Sequence, residues 1–269
     1  MQFLKVDDAV LHYQVIGGPQ GAPALVFANA LGTDFRIWRD VIVRLAGKFT
    51  ILTYDKRGHG LSETGDGPVT IARHAEDLAV IIDAAGIGKA IVCGLSIGGL
   101  IAQQLYADRR DLVSALILCD TAAKIGDAEM WSQRIAAVEA NGIAALSDGI
   151  MERWFGTQFR SARPDEMAGY RTMLERQSPR GYVASCAALR DADLRDAARQ
   201  IGVPTLCVVG EQDGSTPVET VTELAKSIPG ARFEIIKEAG HIPCVEQPEM
   251  LAEIILAFTQ SLPRLPTLN

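Results

Sequence analysis

Residues 91–103 read "IVCGLSIGGLIAQ", with Ser96 between Gly94 and Gly98 at the point where an apolar run changes its period. Ahead of the serine, "AIVCGL" has the composition of a buried strand, and beyond it "GGLIAQQLYADRR" has helical spacing. Glycine weakens both kinds of element, so a pair of them flanking one serine needs a reason. A strand, a tight turn and a helix around G-x-S-x-G form the setting of a nucleophile elbow. The serine there takes a strained backbone conformation, and side chains two residues to either side would collide with the close-packed strand and helix. The helix N-terminus also favours negative charge near the hydroxyl.

A serine hydroxyl needs a base, and the base needs an acid to orient it. On a scaffold with this elbow the chain order is Ser, then Asp or Glu, then His. His241, in "KEAGHIPCVEQP", is the one histidine after Ser96 and is the expected base. The acid is expected at Asp213 in "VVGEQDGSTP", just past the strand-like "PTLCVV". Asp120, after "LILC", and Glu211 are its rivals. Loops beyond strand C-termini are where α/β sites assemble. The oxyanion is expected on the backbone N–H of Ile97 and on that of Leu31, in "NALGT" after "ALVFA".

Outward from the elbow, "AVLHYQVIG", "ALVFANA", "FTILTYD", "SALILCD", "PTLCVVG" and "RFEIIKE" read as further strands. Helical stretches such as "IARHAEDLAVIIDAAG" separate several of them, which predicts an α/β fold with a mainly parallel sheet covered by helices. After "LILCDTAA" the alternation stops. From Lys124 to Gln200 the pattern is helical, and strands resume at Pro204. This reads as a helical cap, 124–200, inserted into a core of 1–123 and 201–269, with a short proline-containing tail, "SLPRLPTLN".

The formal net charge of −7, with no basic stretch, argues against nucleic acid as a partner. Five cysteines form no CxxC pair, and three lie in strand-like runs, so reduced buried thiols are expected. "MQFLKVDD" lacks the apolar core of a signal peptide, and no run is long enough to span a bilayer. The expectation is a cytoplasmic protein without a membrane partner; the sequence leaves a homo-oligomer open. No His, Cys or Asp cluster has metal-ligand spacing. Asp55, Arg57 and His59 in "YDKRGHGLS" precede Ser96, and the segment reads as a turn braced by charge pairs; His12 and His74 read as structural.

With these residues in place, the chain resembles the α/β-hydrolase superfamily and, within it, the 3-oxoadipate enol-lactonases. The likeness runs through "NALGTDFRIW", "YDKRGHGLS", "GLSIGGLIAQQL", "DTAAKIGDAEMW", "ALRDADLRD" and "IPGARFEIIKEAGHIPCVEQP". It implies cofactor-free hydrolysis of a small anionic enol-lactone, with Ser96, Asp213 and His241 as the triad. An acidic protein must hold the carboxylate of such a substrate with a local cation. Trp131, Arg134 and Val138 are spaced by three and four in "AEMWSQRIAAVEA" and so share a helix face. Trp131 and Arg134 are the expected substrate contacts, with Arg153 and Arg190 in reserve.

Overall fold

A computed structural model describes residues 1–262. The proline-containing tail from residue 263 onward lies outside the described residues. Eight strands form one sheet: β1 (Gln2–Val6), β2 (Ala9–Ile16), β3 (Ala24–Ala28), β4 (Thr50–Tyr54), β5 (Ala90–Leu95), β6 (Val113–Cys119), β7 (Thr205–Gly210) and β8 (Arg232–Ile236). Their spatial order is β1-β2-β4-β3-β5-β6-β7-β8, antiparallel at the β1–β2 and β2–β4 pairs and parallel from β4 to β8. Every residue of β5 and β7 is buried, because helices cover both faces of the central parallel strands. That double burial is why these strands read as unbroken apolar runs.

β1 has no counterpart in the strand-like runs read from the sequence. Only Val6 of its five residues is buried, as only Ile236 is in β8 at the opposite edge. β1 is held by the hairpin to β2, closed through Asp7 with φ of 50°.

The helices are α1 (Arg39–Leu45), α2 (Ile71–Ala84), α3 (Ile97–Asp108), α4 (Ala128–Asn141), α5 (Ser147–Trp154), α6 (Thr157–Ala162), α7 (Pro164–Glu175), α8 (Pro179–Asp191), α9 (Arg195–Ala198), α10 (Val218–Ser227), α11 (Pro243–Glu246) and α12 (Pro248–Gln260). Helices α4 to α9 fill the chain between β6 and β7. Asp127 caps α4 through Met130 N–H and Ser178 caps α8 through Gly181 N–H; α7 and α8 begin with proline, whose fixed φ suits a first helical turn. The excursion closes where Leu194 N–H donates to the Ala123 carbonyl, and α9 beyond it packs on α3.

These helices lie over the C-terminal ends of the parallel strands. A Cβ on Gly32, after β3, would meet Leu174, Tyr182 and Trp154. Gly181 of α8 sits so close to Gly58, after β4, that a Cβ on either would strike backbone of the other. Gly214 N–H, after β7, donates to the Arg153 carbonyl, and His241 N–H, after β8, donates to that of Trp154 at 2.8 Å. One end of the sheet is therefore roofed by α5, α7 and α8.

Candidate active site

Ser96 stands between the last residue of β5 and the first of α3, with φ of 59° and ψ of −119°. This is left-handed backbone that a non-glycine residue adopts at a cost. The turn is held from β6: Ser96 N–H donates to the Cys119 carbonyl at 3.0 Å, and Thr121 Oγ donates to the Ser96 carbonyl at 2.7 Å. The flanking glycines have the steric cause expected of them. A Cβ on Gly94 would lie 2.2 Å from the Gly98 carbonyl oxygen, and one on Gly98 would lie 2.2 Å from the Ala28 carbonyl oxygen. Gly99 is tight as well, against Thr121.

Asp213 and His241, far apart in sequence, meet at 2.9 Å through Oδ2 and Nδ1. Asp213 is also held by the Ser215 and Thr216 N–H groups at 2.7 and 3.0 Å and by the Thr216 hydroxyl at 2.7 Å. Burial pushes its carboxyl up, but His241 and these donors outweigh burial and leave it below the ordinary carboxylate range. An ionised carboxylate only accepts, so Nδ1 of His241 carries the proton and Nε2 keeps its lone pair. The sequence reading missed Thr216. Its signal is Asp-x-x-Thr directly after a strand, where a short side chain can gather the amides that follow it.

The rival acid lies next to this pair. One oxygen of Asp120, one of Asp213 and a ring nitrogen of His241 all fall within 4.8 Å of one another. Asp120 Oδ1 accepts from Gly210 N–H at 2.8 Å, whereas its buried Oδ2 has no partner among the described residues. Complete burial, then the charge of Asp213, push the Asp120 carboxyl well above the usual range. It is suited to staying neutral, not to orienting a base. Glu211 turns away and accepts from Glu238 N–H.

Leu31 follows β3, and among the described residues its N–H donates to nothing. Ile97 is the first residue of α3, where amides lack acceptors within the helix. In α4, Trp131 is buried, with its indole N–H donating to the Ile125 carbonyl at 2.6 Å. The Arg134 guanidinium lies 5.0 Å from the Trp131 ring centre. Among the described residues neither Arg134 nor Arg153 makes an ion pair, although both are half-buried. Burial, then Arg134, pull the Arg153 guanidinium below its ordinary value. Arg190, by contrast, is paired with its neighbour Asp191 at 2.7 Å.

The segment around Asp55 is braced as its charges suggest. Arg57 bridges Asp77 and Asp8, each at 2.7 Å, and Asp55 pairs with His12 at 2.8 Å. Lys56, between them, drew no attention in the sequence. It is fully buried and reaches into the loop that carries Leu31.

An eight-stranded, mostly parallel sheet with a strained serine after β5 and an Asp–His pair after β7 and β8 defines a class of hydrolase. A family model described as the alpha/beta hydrolase fold matches residues 23–248, and the chain belongs to that family. It is 37% identical over 251 residues to 3-oxoadipate enol-lactonase 1 of Acinetobacter baylyi, covering 92% of each chain. It is 35% identical to 3-oxoadipate enol-lactonase 2 of the same organism, covering 91% of each. The crystal structure of the enol-lactonase from Burkholderia xenovorans superimposes with a TM-score of 0.93 at 34% identity, covering 97% of this chain and all of that one.

Proposed function

We propose that this protein opens 3-oxoadipate enol-lactone to 3-oxoadipate, through an acyl-enzyme on Ser96, in bacterial breakdown of aromatic compounds. The observation that carries the chemistry is the Asp213–His241 hydrogen bond, held by Thr216 and Ser215, on the same sheet end as Ser96. His241 Nε2 takes the Ser96 proton as the hydroxyl attacks the ring carbonyl. Leu31 and Ile97 N–H groups receive the oxyanion. Ring opening expels an enolate, which His241 protonates on its way to the ketone. Water, activated by the same imidazole, then releases the acid and restores Ser96.

The substrate assignment rests on likeness to the enol-lactonases of Acinetobacter and Burkholderia and on the cap. Among the described residues Arg134 and Arg153 are half-buried cations without carboxylate partners, in a protein of net charge −7. A buried charge needs a counter-charge, and a substrate carboxylate supplies one. The backbone of Arg153 touches the loop of Asp213, which sets this cap segment beside the pair. The deciding experiment follows the ultraviolet absorbance of the enol-lactone with the wild type and Ser96→Ala. Rapid loss with the wild type and none with the variant is expected. A wild type that cleaves simple esters but spares the lactone would replace the enol-lactonase reading with an esterase one.

A further inference from the structure

The loop from Asn29 to Thr33 is held by hydrogen bonds from its own side chains and from the loop after β4. Asn29 Nδ2 donates to the Thr33 carbonyl at 2.6 Å, and Gly32 N–H donates to His59 Nε2 at 3.0 Å. Thr33 Oγ donates to the Ala30 carbonyl at 2.9 Å. An equally short contact comes from Lys56, whose Nζ lies 2.6 Å from the Ala30 carbonyl oxygen and 3.4 Å from that of Thr33. Among the described residues the N–H of Leu31 has no acceptor, and neither do those of Asn29 and Ala30. The Ala30 carbonyl and the Leu31 N–H belong to one peptide unit. Because that unit is planar and trans, the two groups point to opposite sides of it. A donor fixed on the carbonyl therefore sets where the N–H points.

Stability alone is a poor account of this lysine. Its side chain is 1% exposed, and it makes no ion pair among the described residues. The two acids near it are engaged elsewhere, Asp34 with Arg36 and Asp55 with His12. Burial drags its ammonium down to about 7, against the charges of Asp55 and Asp34. An apolar residue of similar volume in place of a buried charge is often neutral or stabilising. A donor on the carbonyl also polarises the peptide and makes its N–H a stronger donor on the other side.

We propose that Lys56 is a positioning residue for the oxyanion donor, orienting and polarising the Ala30–Leu31 peptide so that Leu31 N–H meets the developing negative charge. The proposal rests on Leu31 serving as an oxyanion donor. Lys56 acts through the backbone, without touching substrate. Its loss should therefore weaken transition-state binding and leave ground-state binding alone.

The test compares wild type, Lys56→Met and Lys56→Gln on p-nitrophenyl acetate, with phenylboronic acid as the tetrahedral probe. Deleting an oxyanion donor outright costs roughly 10²–10³ in kcat, so a misdirected one should cost about tenfold or more. Lys56→Met is expected to lose that in kcat, to weaken boronate binding in parallel, to keep KM within about twofold and to melt no lower than wild type. Lys56→Gln, which retains a donor, should recover part of the kcat. Wild-type kcat and boronate affinity in Lys56→Met would overturn the proposal. So would a kcat loss accompanied by an equal rise in KM, or failure of both variants to fold. Ser96→Ala in parallel separates the two levels: a fully active serine variant removes the serine mechanism itself, whereas a dead one beside an unimpaired Lys56→Met removes only the role of Lys56.

Discussion

The molecule contains two Asp–His pairs of nearly the same geometry. His241 Nδ1 meets Asp213 at 2.9 Å, and His12 Nδ1 meets Asp55 at 2.8 Å. In each pair the carboxylate also accepts two backbone N–H groups, from Ser215 and Thr216 in one and from Phe35 and Leu61 in the other. Both histidines are buried, and the His12 pair even borders a cavity of about 370 Å³. What separates them is the surroundings of the second ring nitrogen. His12 lies between Phe3 and Phe35, with ring centres 5.0 and 5.1 Å away, and its buried Nε2 has no partner among the described residues. His241 follows β8, at the sheet end where β5 delivers Ser96 on strained backbone. An oriented imidazole becomes a catalytic base only where a nucleophile is brought to it.

The largest effect should come from removing the proposed nucleophile. Ser96→Ala is expected to cost about 10⁴-fold or more in kcat while leaving the melting temperature near wild type, because a triad acts as a unit. A loss within tenfold would end the distinction between the two pairs. Asp213→Asn should cost nearly as much, since the amide can favour the wrong imidazole tautomer. Asp120→Asn should stay within about tenfold of wild type, because a carboxyl suited to neutrality loses little as an amide. The opposite ranking of these two variants in kcat would transfer the acid's role to the end of β6.

A middle-sized effect belongs to the cap. Arg134→Ala should raise KM for the lactone acid by about 1.5–3 kcal/mol of lost binding, the scale of a charged hydrogen bond. It should hardly change KM for the neutral methyl ester. Equal losses on both would take Arg134 out of the substrate site. Asp55→Asn is the control for the second pair: kcat should remain within a few-fold, while urea unfolding should show a loss of about 1–3 kcal/mol from a buried network left unpaired. A kcat loss approaching that of Asp213→Asn would make His12 part of the chemistry.

The smallest effect is in acid stability. The carboxyl of Asp213 sits lower in the folded chain than an unperturbed aspartate near 3.9. Its contribution to stability is therefore present above that unfolded value and is lost as pH falls through the folded one. The wild type should lose urea midpoint on acidification below about pH 4 more steeply than Asp213→Asn, which lacks this titration. Parallel acid limbs would show that the folded pair does not favour the ionised carboxylate.

Much of this molecule can be read from local pattern. Strands β2 to β8 are short apolar runs with abrupt ends, and the elbow announces itself because Gly94 and Gly98 flank a serine at a change of period. His241 follows from chain order, as the one histidine beyond Ser96. β1 escapes although β8, likewise an edge strand with one buried residue, is legible in "RFEIIKE". Thr216 and Thr121 escape because a threonine near a site looks like any other until its hydroxyl is seen on Asp213 or on the Ser96 carbonyl.

Sequence alone determined the order of strands β2 to β8, the helical excursion between β6 and β7 and the glycine-flanked turn at Ser96, because periodicity, glycine spacing and chain order are local or one-dimensional properties. Tertiary structure decided the rest. It separated Asp213 from Asp120, which stand at the ends of adjacent strands and differ by what surrounds them: four donors on one carboxylate, and burial with an orphaned oxygen on the other. Among the described residues it left Arg134 and Arg153 without counter-charges while pairing Arg190 with Asp191. It also placed the ammonium of Lys56 on the far side of the peptide that presents Leu31 N–H. A residue's charge state and the direction of its hydrogen bonds come from neighbours that the sheet brings together across the chain, and linear spacing carries no record of them.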